Sequence, residues 1–264
     1  MRTPQLDETQ IQKNGTAPIN IKILESTTST NDVAKEHLHE AGDSLLLIAT
    51  NKQTAGRGRL GRSFYSEIAH GLYFSLAFRP QNLNMEEIPQ YTVLAAAALV
   101  ETLENMTGKA LAIKWVNDIF YNGRKISGIL SEMVTASERG VVVGIGINFS
   151  GDFAETSQDI QQVAGTLFGK ETPETFNQNE FLQKFIERFT YYHEHFHKKA
   201  FLPIYEEHLL GIGEEVYYFI QEEKYQGTIL GINNQGHLKV KNEDGKVEIL
   251  HSQEVHFSSR QFLR

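Results

Sequence analysis

The residues most able to do chemistry lie in two short stretches. The first, Gln53-Thr54-Ala55-Gly56-Arg57-Gly58-Arg59-Leu60-Gly61-Arg62, sets three glycines among three arginines. Glycines let backbone N–H groups come close to a ligand, and guanidinium forks suit phosphate or carboxylate oxygens. Such a loop is suited to an anionic small molecule. Gly56, Gly58 and Gly61 also satisfy G-x-G-x-x-G. No helix is predicted to open after Gly61, however, no acidic residue stands ~20 positions on, and no Walker lysine follows, so a dinucleotide fold is not implied.

The second stretch is Lys114-Trp115-Val116-Asn117-Asp118, followed by Gly123-Arg124-Lys125-Ile126-Ser127-Gly128. Lys114 interrupts an apolar strand pattern, and a lysine there needs a partner. Lys114, Asn117 and Asp118 would place a cation, an amide and a carboxylate able to bind metal at one strand end. Gly128 lies inside a strand-like run, and Gly144 and Gly146 repeat the theme before Asn148. Glycine inside a strand marks close approach by a ligand or another backbone. A competing motif, His193-Glu194-His195-Phe196-His197, has the H-E-x-x-H spacing of helical zinc peptidases. Phe185, Phe189, Tyr192 and Phe196 form a core stripe around it, and no third ligand follows at a suitable distance. The histidines therefore read as a solvated helix face, and no zinc is expected.

The elements that must position these residues follow from periodicity. Residues 33–41 carry one apolar helix face with Thr30 or Asn31 near its N-cap. Runs 44–50, 71–78, 111–116, 125–134 and 140–148 read as strands, and 88–106 as a long helix with Pro89 in its first turn. Residues 150–169 read as irregular, and 179–200 and 201–210 as amphipathic helices. After 211–213 the character changes to short β runs at 215–221, 225–232, 237–241 and 246–250, separated by turns at 233–236 and Asp244-Gly245. Strands and helices mix without strict alternation, which favours α+β over a doubly wound sheet. Three segments are expected: a polar lead over 1–18, a main domain over 19–210 and a small β barrel over 211–264.

Composition narrows the function class. The 264 residues are 40% hydrophobic and 22% charged, ordinary globular usage that excludes a disordered or collagen-like chain. No apolar run approaches ~18 residues and the N-terminus has no apolar core, so neither a membrane span nor a signal peptide is expected. There is no cysteine, which removes disulfides, thiolate metal sites and cysteine nucleophiles. The expected location is the cytoplasm. A net charge of -8 argues against DNA as a partner, so the anion site must be local.

Taken together, Ser29-Thr30-Asn31, GRGRLGR at 56–62, KWVND at 114–118, RKISGIL at 124–130 and GIGINF at 144–149 resemble the biotin protein ligase family, in family order and over nearly the whole chain. The resemblance implies an α+β fold with a mixed sheet flanked by helices, related to class II aminoacyl-tRNA synthetases, with an SH3-like C-terminal barrel. It implies that biotin is activated with Mg-ATP to biotinyl-5′-AMP, and that the biotinyl group is then passed to a lysine of a biotin carboxyl carrier domain.

By the same resemblance, Ser29, Thr30, Asn31, Gln53 and the backbone around Arg57, with Gly56 and Gly58, hold the ureido head of biotin. Lys125 reaches the biotin carboxyl or acyl-phosphate oxygens, and Lys114 the α-phosphate. Arg59 and Arg62 contact phosphate, and Arg59 orders the loop over the intermediate. Gly128 and Gly146 leave room for the valeryl chain. Phe64, Asn117 and Asn148 fall on the nucleotide side, Asp118 on the magnesium side, and the segment near 149–167 folds over the adenine.

The chain departs from the family pattern at four places. Phe64 stands at a usual tryptophan, Ser66-Glu67-Ile68-Ala69 at a usual Ser-Pro-x-Gly, Gly71 at a usual asparagine before Leu-Tyr, and Val116 at a usual proline. The short lead implies a ligase without the winged helix-turn-helix of bifunctional relatives. The protein is expected to be a monomer or a homodimer. Rival readings are a lipoate-protein ligase and a non-enzymatic binding module that kept the fold; against the second stand Lys114, Lys125 and Arg59.

Overall fold

The computed structural model describes residues 5–13, 15, 18–66, 70–80, 84–135, 139–220, 223–252, 255–257 and 262. Seven strands form the main sheet: β1 (Ile19–Ile23), β2 (Leu45–Thr50), β3 (His70–Phe78), β4 (Ala112–Lys114), β5 (Asp118–Tyr121), β6 (Arg124–Val134) and β7 (Gly140–Ser150). Their order is β1-β2-β3-β7-β6-β5-β4, with β1 and β2 parallel and the remaining pairs antiparallel. The fold is therefore mixed α+β.

Alternation along the strands separates the two faces. On β3 and β7, Leu72, Phe74, Leu76 and Phe78 with Val141, Val143, Ile145 and Ile147 enter the main core. There they meet α3 (Ile88–Thr107) and α5 (Gln178–Glu194). Phe74 packs edge-on against Phe185, and Phe78 against Tyr91 and Phe189. Helix α3 starts with Pro89 in its first turn, where a missing N–H costs nothing, and stops at Gly108, whose φ of 67° suits glycine. The opposite face carries Tyr73, Ser75, Gly144, Gly146 and Gly128. It is covered at one end by α2 (Thr30–Glu36), whose Ala34 packs with Leu46, Ile48, Ala77 and Val142. At Gly128, Gly144 and Gly146 the sheet adds no side chain of its own to this face.

Several boundaries differ from the sequence reading. The polar lead contains a short helix, α1 (Glu8–Gln12), capped by Asp7 and tied to α5 through Asn179. The expected strand over 111–116 stops at Lys114; a turn follows, and β5 begins at Asp118. The Trp115–Val116 peptide is cis. The irregular segment holds α4 (Gln158–Val163). The expected helix over 179–200 ends at Glu194. A 3₁₀ turn over Phe196–Lys198 follows, then α6 (Phe201–Glu207).

That break corrects the reading of the H-E-x-x-H motif. His193 is half-buried and not on an open face: its ring packs against Phe78, Tyr91 and Phe189, and burial holds its pKa below the ordinary value. His197 sits in the 3₁₀ turn, off the helix, and the described residues contain no cluster of three His, Asp or Glu groups able to hold a metal.

The C-terminal strands are β8 (Glu215–Ile220), β9 (Glu223–Ile232), β10 (Leu238–Asn242), β11 (Val247–Leu250) and β12 (Val255–Phe257), in the antiparallel order β11-β10-β9-β8-β12. Val216, Tyr218, Ile229 and Val240 turn inward and join the main core. Trp115 fastens the two sheets: its Nε1 donates to the Gly236 carbonyl at 3.0 Å, and its ring meets Phe257 edge-on. No described helix is long and apolar enough to cross a membrane.

Candidate active site

One lateral row crosses the bare face of the main sheet. Thr50, Tyr73, Gly146, Gly128, Asp118 and Lys114 are successive Cα partners across β2, β3, β7, β6, β5 and β4. The two central positions are glycines. The end of the row is ionic: the Asp118 carboxylate lies 2.7 Å from Lys125 Nζ and 3.6 Å from Lys114 Nζ. Burial alone would raise the Asp118 carboxyl, but Lys125, Lys114 and Arg59 outweigh it and hold it below the usual carboxylate range. Burial pulls the Lys114 ammonium below its ordinary value, while Asp118 opposes that fall.

This arrangement does not fit Asp118 as a magnesium ligand. Its charge is already shared by two lysines, and among the described residues no second carboxylate joins it. Asp118 is the counter-ion of the buried Lys114 and of the partly exposed Lys125.

The glycine–arginine loop is a tight finger. Arg57 and Ser63 bridge, Gly58 N donates to Arg62 O at 2.7 Å, and Phe64 N donates to Gly56 O at 2.9 Å. A Cβ on Gly56 would lie 2.6 Å from the Phe64 carbonyl, so glycine is required there. Arg59 runs from the finger to the β4–β5 turn and to the C-terminal β segment: Nη1 donates to Asn117 Oδ1 at 3.3 Å and Nη2 to the Ser252 carbonyl. Asn117 in turn donates to Ile129 O. Burial lowers Arg59 from its ordinary value, and Asp118 offsets part of that. Of the four departures from the family pattern, residues 67–69 lie outside the described residues.

Phe64 divides the site into two clefts. Its ring lies over Gly128 and Gly146, where an added Cβ would come within 3.0 and 2.7 Å of it. Glycine at these two positions gives the Phe64 ring its seat on the sheet. The narrower cleft holds about 30 Å³ of space under α2, lined by Ser29, Thr30, Asn31, Gln53, Arg57 and Phe64, among others. The wider holds about 120 Å³, and its lining carries five cationic side chains, Arg57, Arg59, Arg62, Lys114 and Lys125, against one carboxylate, Asp118. A groove of about 360 Å³ between α3 and α5 is larger still, but its two cations are paired: Lys184 with Glu180 and Arg188 with Glu101.

The narrow cleft is polar at its head and internally connected. Thr30 N donates to Gln53 Oε1 at 2.9 Å, Ser75 Oγ reaches Thr30 Oγ1 and Asn31 Oδ1, and Asn31 Nδ2 donates to Glu132 Oε2 at 2.7 Å and to the Leu130 carbonyl. Lys35 braces Glu132 at 2.7 Å, and Arg57 reaches Asp32 at 2.8 Å. Asn31 therefore spends its whole amide inside the protein. Gly144 makes room for it, since a Cβ there would fall 1.9 Å from Asn31 Oδ1. Sequence reasoning missed Ser75, Glu132 and Asp32; the first two lie on strands that were predicted and the third in the first turn of α2, but nothing local marks these positions.

The segment after β7 straps back over the wide cleft's edge. Gly165 N donates to Lys125 O, Asn148 Nδ2 to Gly165 O, and the Arg124 guanidinium to the Gln161 and Gln162 carbonyls at the end of α4. Tyr65 in the finger meets Phe153 in the strap. The structure thus brings together all the site residues expected from sequence: Ser29, Thr30, Asn31, Gln53 and Arg57 at one cleft, Arg59, Arg62, Lys114, Asn117 and Lys125 at the other, and Asn148 beside the strap.

A bare sheet face between a polar-headed cleft and a cationic cleft defines a site for joining a small acid to a polyanion. Comparison with known proteins agrees. Residues 23–149 match the Biotin/lipoate A/B protein ligase family. The Bifunctional ligase/repressor BirA of Bacillus subtilis is 34% identical over 226 residues, 83% of this chain and 68% of that one. The Biotin--[acetyl-CoA-carboxylase] ligase of Paracoccus denitrificans is 29% identical, over 89% and 99%. Among solved structures, biotin protein ligase from Aquifex aeolicus in complex with biotin and ATP superposes with a TM-score of 0.73 at 30% identity, covering 90% of this chain and 99% of that one. The chain belongs to the biotin protein ligase family.

Proposed function

We propose that this enzyme activates biotin with ATP to biotinyl-5′-AMP and transfers the biotinyl group to a lysine of a biotin carboxyl carrier protein. The observation that carries the reading is the pair of clefts meeting at Phe64, one polar-headed and narrow, the other holding five cations against one carboxylate. Two anions must meet for the first step, and fixed cations offset their repulsion and stabilise the charge that grows as they react. A biotin carboxylate oxygen bonds to the α-phosphorus while the bond to pyrophosphate breaks. In the second step an acceptor amine attacks the acyl carbon and AMP leaves.

Each residue then has a part. Ser29, Thr30 and Gln53, with the backbone of Gly56, Arg57 and Gly58, hold the ureido head, and Asn31 with Ser75 and Glu132 shapes the wall behind it. Lys125 takes the biotin carboxyl and acyl-phosphate oxygens, Lys114 the α-phosphate, and Arg59 and Arg62 the outer phosphates. Phe64 swings from Gly128 and Gly146 to admit the valeryl chain and offers its face to the nucleotide. Asn117 holds Arg59, and Asn148 meets the base beneath the strap. Magnesium enters as the Mg-ATP substrate. Residues 19–210 form the ligase domain and 211–264 an SH3-like module whose Ser252 carbonyl anchors Arg59, and the enzyme works in the cytoplasm. Biotin-dependent exchange of labelled pyrophosphate into ATP tests this, with lipoate and octanoate in parallel: exchange with biotin alone is expected, and exchange with lipoate alone would move the assignment to the lipoate ligases.

A further inference from the structure

Two buried polar atoms near the strap have no hydrogen-bond partner among the described residues: the Tyr73 hydroxyl and the Asn148 side-chain oxygen. Their residues are 1% and 4% exposed. An unsatisfied buried polar atom costs stability, and one kept at a site points to a ligand that satisfies it. The two atoms belong to one place. Gly71 is the cross-strand Cα partner of Asn148, and the Tyr73 ring folds back over Gly71 so closely that a Cβ there would lie 2.2 Å from the Tyr73 hydroxyl. Tyr73 also meets the Phe64 ring edge-on at 6.4 Å. The niche therefore has an aromatic wall, one unused donor and one unused acceptor.

We propose that the Tyr73 hydroxyl, lodged in the space left by Gly71, is a specificity-determining donor to the nucleobase of ATP. It rests on the ligase reading given above. A 6-aminopurine presents an exocyclic N–H donor flanked by ring nitrogens that accept. Asn148 Oδ1 takes the amine, and the Tyr73 hydroxyl donates to a ring nitrogen beside it. A 6-oxopurine would put an acceptor against Asn148 Oδ1 and is rejected. Burial keeps the Tyr73 phenol protonated, so it remains a donor at any pH the enzyme meets. The departure at position 71 gains a reason: an asparagine there would displace the ring, and the tyrosine hydroxyl supplies a polar group in its stead.

The test is biotin-dependent pyrophosphate exchange by the wild-type enzyme and Tyr73→Phe, with ATP, 1-deaza-ATP and 7-deaza-ATP. One deaza analogue should raise the wild-type KM by about fivefold, the worth of one hydrogen bond. Tyr73→Phe should raise the KM for ATP by a similar factor, lose that discrimination, and leave the KM for biotin unchanged. Without nucleotide, its melting temperature should equal or exceed wild type, because the lost hydroxyl had no partner. Gly71→Ala, which pushes the ring aside, should repeat the ATP effect. A Tyr73→Phe enzyme with unaltered KM for ATP, or with the full deaza penalty, would overturn the assignment. So would a fall in melting temperature with equal changes in both KM values, which marks a structural role. If wild type shows no exchange with biotin, the ligase reading itself fails, and this one with it.

Discussion

Lys114 and Asp118 are Cα partners across β4 and β5, and their charged groups stand 3.6 Å apart, both nearly buried, at the end of a row whose next two positions are Gly128 and Gly146. The ion pair and the bare glycine floor thus belong to one line across the sheet. A buried lysine keeps its proton only if a carboxylate compensates for lost hydration. Asp118 does this for Lys114, and it also pairs with the partly exposed Lys125.

Asp118→Asn should therefore act on both lysines. Removing the counter-ion leaves uncompensated buried charge and should destabilise the fold by on the order of 3 kcal/mol at neutral pH. The wild-type advantage is present above the ordinary carboxylate value of 3.8 and is lost as the pH falls through the lower folded value. Lys114 loses the group that holds its pKa up, so the alkaline limb of the activity profile should move to lower pH. Denaturation curves and a pH–rate profile check this; an unmoved alkaline limb would contradict it.

Lys125→Ala removes a cation from the point where the two substrates meet. Adenylate formation in a single turnover should fall by about a hundredfold or more, the usual cost of removing one preorganised electrostatic group. Arg59→Gly severs the links to Asn117 and Ser252 that tie the finger to both sheets. Dissociation of the adenylate should accelerate by about tenfold, with a smaller effect on its formation, as measured by filter retention of labelled intermediate.

Gly144→Ala tests the wall of the narrow cleft. The new Cβ must displace Asn31 from Ser75 and Glu132. The KM for biotin should rise by about tenfold, with KM for ATP little changed, because two hydrogen bonds at about 1 kcal/mol each are disturbed on one side of Phe64 only. Equal rises in both constants would show that the two clefts are not separate.

Much of this was legible in the sequence. The finger, Lys114, Lys125 and the glycines of β6 and β7 carry their chemistry in local spacing. What was not legible is non-local. β5 is only four residues long and follows directly on a turn, so Asn117-Asp118 read as a strand end, and Asp118 read as a metal ligand. Nothing near residue 118 announces that two lysines converge on it. Ser75, Glu132 and the Ser252 carbonyl enter through pairing register and domain packing. Phe64 was placed on the nucleotide side, but its contact with Gly128 and Gly146 exists only once the finger folds.

The histidine motif offers a test independent of activity. Burial lowers the His193 pKa from 6.5, so the unfolded chain binds the proton more readily than the native one. Native stability should then fall as the pH drops below about 6.5 toward the lower folded value. His193→Phe, which suits a site ringed by Phe78, Tyr91 and Phe189, should flatten that slope and gain most in melting temperature near pH 5.5. A variant with the wild-type slope would place the pH dependence elsewhere.

The most direct measurement of the central claim is pyrophosphate exchange into ATP with biotin, lipoate or octanoate as the acid, run on the wild type and on Lys125→Ala. The account predicts exchange with biotin alone and its loss in the variant. Exchange independent of biotin, or undiminished without Lys125, would contradict it.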